Sequence, residues 1–292
     1  MKYAVRHITG YSYDDPVSLC ENQAHLTPRA FARQKCEMTT VTVQPEPAAI
    51  RSWTDYFGNA ATYFSVEVPH DELTVTAESI VDVTPPALVS AIETPAWEEA
   101  RDAIATLLDE SLFRAAQFTF ESPLIRMIPE ATDYARVSFP AGRPLLEAAM
   151  DLTKRIYKDF KYDPAATCVN TPTEELFRKG RGVCQDFAHL QITCLRSLGL
   201  AARYVSGYLL TDPPPGQPKL VGSDASHAWV SVYCPGHDWV DFDPTNKQMP
   251  EDRHITLAWG RDYSDVCPIK GVFLGGGEHR MYISVDVTPA VG

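Results

Sequence analysis

What the sequence lacks excludes several classes of protein. Its 292 residues contain no cluster of lysine and arginine, and the formal net charge is −12. A nucleic-acid-binding protein normally presents a basic face, and so does a protein that docks on anionic lipid. No run approaches the roughly 18 consecutive apolar residues that a membrane-spanning helix needs. The sequence therefore predicts neither nucleic acid nor membrane as a partner.

The N-terminus and the cysteines indicate a default location. The first residues lack the apolar run of a secretory signal. The seven cysteines are odd in number and scattered, whereas a disulfide framework is expected to be even and dense. Neither a CxxC pair nor the spaced acidic pattern of an EF-hand occurs, so we expect no metal site and no cofactor. Cytoplasmic residence follows as the prediction.

The length suggests one large domain or, as the better interpretation, two of ordinary size; 45% hydrophobic and 22% charged residues are typical of a globular protein. Residues 1–83 contain short β-branched and aromatic runs that partly alternate, which predicts a β-sandwich-like domain. Residues 84–143 are interpreted as a helical and irregular connection, with a helical pattern over 97–117. Residues 144–292 are expected to form the second domain, including the strands at its C-terminal end.

The stretch 162–246 carries the candidate chemistry. Apolar residues from Cys184 to Leu198 recur at helical spacing, and Gly199 can end that helix. Cys184 would therefore lie at a helix N-terminus, where free N–H groups and partial positive charge favour a thiolate and can hydrogen-bond an oxyanion. If Cys184 is considered alone, a buried cysteine that happens to begin a helix is the better interpretation.

Two further residues favour a nucleophile over a merely structural cysteine, because a thiol nucleophile needs a base and the base needs an orienting partner. His227 begins a predicted strand, and Asp243 ends the next one. With a three-residue loop at 235–237, the antiparallel register sets Asp243 opposite Trp229 and diagonal to His227, within about 7–8 Å. Asp241 lies one step further away. Each residue has an ordinary structural explanation, but a triad of Cys184, His227 and Asp243 explains all three together.

Three segments resemble, in order and spacing, the core motifs of the bacterial transglutaminase-like family. They are Arg181-Gly182-Val183-Cys184-Gln185-Asp186-Phe187-Ala188, Ser226-His227-Ala228-Trp229-Val230 and Trp239-Val240-Asp241-Phe242-Asp243-Pro244-Thr245-Asn246. The N-terminal stretch, especially Asp55-Tyr56-Phe57-Gly58-Asn59, is similar to the β-rich region that accompanies this core. The resemblance implies a papain-like α+β catalytic domain, in which an antiparallel sheet packs on the nucleophile helix.

Several neighbouring residues are weaker candidates. The resemblance implies an aromatic residue near the oxyanion, which Tyr162 would supply, although a core aromatic is an equal alternative. Gln185 could donate to the oxyanion, but it follows the cysteine rather than preceding it. Trp229 could bind substrate beside the acyl site, whereas a buried strand tryptophan is the commoner case. The loop 211–224 could shape substrate access or be a plain surface connection.

Three functions remain open. In the first, a cysteine peptidase or amidase hydrolyses peptide or protein substrates through a thioester. In the second, a protein-glutamine transglutaminase uses an amine instead of water, and the same triad serves both reactions. The third is a non-catalytic binding module, against which the intact triad argues. We expect hydrolysis, because the resemblance is to a bacterial group described as cysteine-protease-like.

Overall fold

The computed structural model describes residues 1–87, 89–169, 171–211 and 225–290. The strands in these ranges are β1 (Lys2–Ala24), β2 (Gln34–Gln44), β3 (Ala49–Thr54), β4 (Ala60–Val66), β5 (His70–Val83), β6 (Lys161–Tyr162), β7 (Arg181–Gly182), β8 (Ala202–Leu209), β9 (Ala225–Cys234), β10 (Asp238–Phe242), β11 (His254–Gly260), β12 (Ile269–Gly275) and β13 (His279–Pro289).

The helices are α1 (Trp97–Thr106), α2 (Glu110–Ala116), α3 (Pro129–Arg136), α4 (Leu145–Asp159), α5 (Thr173–Lys179), α6 (Cys184–Ser197) and α7 (Tyr263–Val266), with 3-10 turns at Ala91–Glu93 and Gln117–Thr119. The fold is therefore of the α+β class that the sequence predicts. Among the helices in the described ranges, none combines the length and apolar character that crossing a lipid bilayer requires.

The long strand β1 organises the N-terminal sheet. Along one edge, β5 pairs mainly with its first half and β4 with its second half, while β2 and β3 extend the sheet outward. The register with β5 shifts between Ser12 and Val17, and the pairing with β4 begins at Cys20. Buried side chains from both halves, such as Val75 and Phe64, form one apolar cluster. The curled sheet thus encloses its own core, much as a β-sandwich does.

The last two strands complete this N-terminal sheet. Along the other edge of β1, β13 pairs from Tyr3 to Tyr13 and β12 pairs from Val17 to Ala24. From their place in the chain these strands are expected in the second domain, but their ladder hydrogen bonds run to β1 of the first. A local pattern indicates that a segment is a strand; it does not indicate which distant edge the strand joins.

The second sheet is antiparallel, with the strand order β10-β9-β8-β11. One face packs on α6, and Val230 and Tyr204 from this face share a buried cluster with Leu195 of the helix. The opposite face lies against the N-terminal region, where the Gln34 side chain bonds the backbone of Thr256. Burial on both faces gives this small sheet a fixed position between the helix and the N-terminal sheet.

The helical connection differs in detail from the prediction. The single helical pattern over 97–117 is divided because Leu107 adopts a left-handed conformation with φ 55° and ends α1. Asp109 then begins α2 by accepting a hydrogen bond from Leu112 N. A further helix, α3, begins with Pro129 inside the region expected to be irregular. Pro144 then precedes α4 directly, as its N-cap residue.

The hairpin between β9 and β10 has the register predicted from its loop. Trp239 pairs with Tyr233, and Asp241 pairs with Ser231. Continued by two residues beyond Asp241, this register sets Asp243 opposite Trp229. On the neighbouring strand Gly207 pairs with His227. A Cβ at Gly207 would lie 2.2 Å from the Ile255 carbonyl oxygen, so only glycine lets the strands come this close.

Candidate active site

Cys184 is the first residue of α6 and lies beside a short parallel pairing of two loops. That pairing, between β6 and β7, joins Tyr162 to Gly182. The first hydrogen bond within the helix runs from Phe187 N to Val183 O. The N–H groups of Cys184 and Gln185 therefore precede the helical ladder, which is the position from which backbone donors bind anions.

Asp186 holds this helix start in place. Its Oδ2 accepts hydrogen bonds from Val183 N at 2.8 Å and from Thr167 Oγ1 at 2.6 Å. A Cβ at Gly182 would lie 2.7 Å from the same oxygen, so the glycine is what lets the chain pass the carboxylate. Asp186 therefore caps the helix start, and its negative charge lies at the positive end of the helix.

His227 and Asp243 meet at the end of the β9–β10 hairpin. The ring Nε2 lies 2.8 Å from Asp243 Oδ2, and both side chains are buried. Oδ1 of the same carboxylate accepts the backbone N–H groups of Thr245 and Asn246 at 2.9 and 3.1 Å. Oδ2 also accepts the Asn246 side-chain amide at 2.8 Å. Both carboxylate oxygens are thus held by several donors, which fixes the orientation of the imidazole.

The charges of this cluster reinforce one another. Burial lowers the pKa of His227, but the hydrogen bond to Asp243, the hydrogen bond to Cys184 and the charges of both partners raise it to about 10. Burial also raises the pKa of Asp243, yet the donors around it hold that pKa well below its usual range. At neutral pH the ring therefore carries both protons. Because Nε2 is hydrogen-bonded to Asp243, Nδ1 is the ring nitrogen available to bond Cys184.

A cavity of about 360 Å³ opens at these residues. Its lining includes Cys184 and His227, together with Tyr157, Tyr162, Leu209, Thr211, Ser226, Thr245 and Asn246. Tyr162 is 56% exposed, so the cavity communicates with solvent on that side. The volume falls within the range of small-molecule and peptide side-chain pockets.

Comparison with known proteins identifies the family. Residues 3–82 match the bacterial transglutaminase-like N-terminal region, and residues 135–244, which contain Cys184, His227 and Asp243, match the transglutaminase-like superfamily. Proteins of Mycobacterium tuberculosis and Mycobacterium bovis are 43% identical over 299 residues, covering 100% of this chain and 94% of theirs. A Mycobacterium leprae protein is 33% identical over 288 residues, covering 97% of each chain. The chain belongs to the transglutaminase-like superfamily.

A solved structure shares the fold over the whole chain. It is a candidate cysteine protease from Cytophaga hutchinsonii, with a TM-score of 0.76 at 19% identity, and the match covers 100% of this chain and 92% of that one. The transglutaminase-like chain therefore has the papain-like α+β fold that its motifs imply.

Two of the weaker candidates have other partners in this transglutaminase-like site. The Gln185 side-chain amide donates to the Val169 carbonyl at 2.8 Å, which ties the helix start to the preceding loop. Trp229 is fully buried and does not line the cavity; its indole packs edge to face on His254 and lies beside His227. Trp229 thus packs beside the His227 imidazole and supports it. Most of the loop proposed to shape substrate access, 212–224, lies outside the described residues.

One residue of this site was not among the sequence candidates. His254, at the start of β11, contacts Asp243 Oδ2 through Nε2 at 3.1 Å. It is buried, and its Nδ1 has no hydrogen-bond partner within the described part of the chain. The available signal in the sequence is weak, since polar His254 and Thr256 alternate with apolar residues in an ordinary strand pattern.

The same cluster has a composition that could bind a metal ion. His227, Asp243 and His254 each bring one ligand atom within 4.8 Å of the others, and catalytic zinc takes three protein ligands. However, both Nε2 atoms lie at hydrogen-bond distance from one carboxylate oxygen. Metal binding would need the lone pairs of nitrogens that are donating protons here. These residues therefore fit a hydrogen-bonded cluster better than a metal centre.

Proposed function

We propose that this protein is a cysteine-dependent hydrolase of amide bonds in peptides or proteins. Cys184 is the nucleophile, His227 is the acid and base, and Asp243 orients His227. The observation that supports this most directly is the continuous hydrogen-bonded series from Cys184 through His227 to Asp243 at a solvent-open cavity. Its three members have the types and the mutual reach that thiol catalysis needs.

In the first half of the reaction, the Cys184 sulfur attacks the amide carbonyl carbon and a C–S bond forms. The imidazolium of His227 stabilises negative charge on the sulfur beforehand, as does the start of α6. The N–H groups of Cys184 and Gln185 face the developing oxyanion, and Tyr162 lines the same cavity. His227 then gives its proton to the leaving amine as the C–N bond breaks, which leaves a thioester on Cys184.

In the second half, water attacks the thioester. His227, now neutral, takes a proton from that water, the C–S bond breaks, and the acid product leaves. Asp243 keeps the ring oriented through both steps, and His254 and Asn246 hold Asp243. His254 is in this scheme a positioning residue, because it touches the carboxylate rather than the reacting atoms.

The exposure of the cavity favours water over an amine as the acceptor. Tyr157 and Tyr162, which line it, are 44% and 56% exposed, so bulk water has access to the acyl group. Selective amine transfer would need a site that excludes water and orients a lysine side chain. The fold shared with a candidate cysteine protease agrees with hydrolysis. The cytoplasm is the proposed location.

Alkylation tests whether Cys184 is activated. Treated with iodoacetamide at about pH 6, the protein should react first at Cys184, and His227→Gln should slow that reaction at least about tenfold because the imidazolium is lost. Cys168 is more exposed than Cys184 and serves as the internal reference thiol. Equal labelling of the two cysteines, unchanged in His227→Gln, would favour a binding module over an enzyme.

A peptide library then identifies the reaction. Cleavage products that appear with the natural chain and not with Cys184→Ala support hydrolysis. Incorporation of a labelled primary amine into glutamine peptides, without cleavage, would instead assign amine transfer. Activity should persist in EDTA; its loss, with recovery on adding zinc, would mean that His227, Asp243 and His254 act as metal ligands.

A further inference from the structure

A second cavity lies where the N-terminal region, α2 and the second sheet meet. Its volume is about 500 Å³. Arg203 on its wall pairs with Ser231, four residues along β9 from His227, so the cavity is on the order of 13 Å from the catalytic imidazole along the strand. It is lined mainly by cationic and aromatic side chains: Arg29, Arg114, Arg203, Phe57, Trp239 and Trp259. Nothing in the proposed reaction uses it.

Arg203 is the most unusual residue of this wall. Its side chain is 9% exposed, and its guanidinium carbon lies 3.8 Å from the ring centre of Trp259 and 4.1 Å from that of Trp239. Its Nε has no hydrogen-bond partner, and within the described ranges Arg203 forms no ion pair. Burying a charge without a bonded counter-ion is costly, so such a group in a cavity wall indicates an anion that completes it.

Arg29 belongs to the same arrangement. Its guanidinium carbon lies 3.6 Å from the ring centre of Trp259, and two such groups this close to one ring must occupy opposite faces. Its Nη1 donates a hydrogen bond to the neutral Asn59 Oδ1 at 2.7 Å, and its Nε has no partner among the described residues. Asn59 in turn bonds the backbone of Trp259. The two arginines are therefore held rigidly, and neither charge is neutralised by a contact.

The N-terminal motif at 55–59 contributes to this cavity. Asp55 holds the turn by accepting from Asn59 N at 2.7 Å and from the Asn59 side chain at 2.9 Å. The turn presents Tyr56 and Phe57 at the cavity wall. This motif has no part in the chemistry at Cys184, and a role in a binding site between the two sheets accounts for its polar and aromatic members together.

Charge and shape narrow the ligand class. Against the three arginines the wall has one carboxylate, Asp238, and Arg114 at the rim also pairs with Glu110. This modest excess of positive charge suits a monoanion better than a phosphate dianion. The donors are guanidinium groups, whose planar fork matches a carboxylate. Aromatic walls suit an apolar body attached to that carboxylate.

Burial does not remove the charge of either arginine at neutral pH. Burial lowers the pKa of Arg203 to about 9, against the opposing charges of Asp241 and Asp238. Burial likewise lowers the pKa of Arg29 to about 10, against the charge of Asp55. Both groups remain cationic near pH 7, as recognition of an anion requires.

We propose that this cavity binds the carboxylate of an apolar or aromatic monoacid, with Arg203 holding the carboxylate at the base and Arg114 attracting it at the rim. The acid is either a small free carboxylic acid or the C-terminal carboxylate of a peptide. The site is separate from the cavity at Cys184 and does not depend on the proposed hydrolysis.

The test is a titration of the full chain with 3-phenylpropionate, followed by calorimetry and by the fluorescence of the cavity tryptophans. We expect saturable binding, with 3-phenylpropanamide, the uncharged isostere, at least about tenfold weaker. Arg114→Glu should weaken binding about tenfold or more, whereas Arg136→Glu, a similarly exposed helical arginine paired with Asp133, should not. Arg203→Met should abolish binding while its thermal unfolding transition is retained.

Several results would overturn the proposal. They are the absence of saturable binding of 3-phenylpropionate up to about 10 mM, equal affinity for the amide, or equal effects of Arg114→Glu and Arg136→Glu. Tighter binding of phenyl phosphate than of 3-phenylpropionate would overturn the carboxylate assignment. If Arg203→Met does not fold, the exposed Arg114→Glu variant decides alone. A peptide ending in phenylalanine distinguishes the two sources of the carboxylate. Its affinity is compared with that of the same peptide carrying a C-terminal amide and with that of 3-phenylpropionate.

Discussion

At the scale of single residues, Asp243 is the most constrained group of the candidate active site. Oδ2 is within hydrogen-bond distance of His227, His254 and Asn246, and Oδ1 accepts two backbone N–H groups. A carboxylate held by so many donors stays ionised and does not rotate. The imidazole bonded to it therefore has one orientation, which a base and acid acting in turn requires.

His254 offers the first prediction. His254→Phe removes one donor from a buried carboxylate, so kcat/KM should fall about tenfold or more, since a hydrogen bond to a charged group contributes ~1.5–3 kcal/mol. His254→Gln can still donate and should retain more activity. The measurements are peptide hydrolysis and the pH dependence of Cys184 alkylation.

A control separates positioning from general destabilisation. His70 is also a buried histidine, bonded to the Val68 carbonyl in the N-terminal sheet. His70→Phe should lower stability without changing the alkylation profile of Cys184. Equal losses of activity in His70→Phe and His254→Phe would mean that His254 matters only for folding.

The second prediction concerns pH. The pKa of His227 rises from its ordinary 6.5 to about 10 on folding, so between these values the folded chain binds a proton that the unfolded chain has lost. Its contribution to stability is complete below about pH 6.5 and declines as the pH rises towards 10. Denaturant unfolding should therefore show a larger difference between the natural chain and His227→Gln at pH 6 than at pH 10. The same difference at both pH values would contradict a shifted pKa.

At the scale of elements, the start of α6 affects both the stability of the fold and the rate of the proposed reaction. The donors that would face an oxyanion, and the sulfur itself, belong to a turn held by Asp186 and by the β6–β7 pairing. A helix start fixed from both sides is preorganised, so little rearrangement is needed when negative charge develops there. Loosening the cap should therefore affect rate as well as stability.

The third prediction compares two helix caps. Asp186→Ala loses the bonds to Val183 N and Thr167 Oγ1, so the free energy of unfolding should fall by ~1–2 kcal/mol and kcat/KM should fall with it. Asp109→Ala removes the corresponding cap of α2, away from Cys184. It should reduce stability and leave kcat/KM unchanged. If both variants kept full activity per folded molecule, the proposed oxyanion role of the α6 start would be contradicted.

At the scale of the whole molecule, β1 connects the two ends of the chain. Its first half pairs with β13, and its second half pairs with β12. Val285 and Val287 of β13 share the main buried cluster with Tyr3 and with residues of α4 and α6. The C-terminal strands therefore join the N-terminal sheet to the core that supports α6.

The fourth prediction follows from this pairing. A chain ending at residue 268 leaves one long edge of β1 without its ladder partners and exposes apolar side chains, so it should melt at a lower temperature and aggregate. A chain ending at Pro289 keeps both strands and is the control. Thermal unfolding with sedimentation analysis distinguishes the two. A shortened chain that stayed monomeric and equally stable would show that the last strands are dispensable.

Much of the candidate site was accessible from the sequence because it depends on local rules. The apolar period before Gly199 indicated where α6 begins, and the three-residue loop at 235–237 determined the register that sets Asp243 opposite Trp229. Both follow from backbone geometry within a few residues, so no distant information was needed. The triad itself remained a hypothesis built on these local expectations.

The tertiary structure decided what depends on residues distant in the chain. Packing of β11 on β8 brings His254 to Asp243, β12 and β13 join β1 rather than the second sheet, and burial removes Trp229 from the cavity. The cavity at Arg203 likewise exists only because the 55–59 turn meets β8, β10 and β11. Such long-range contacts are determined by the burial and hydrogen bonding of the whole chain, which no local pattern encodes.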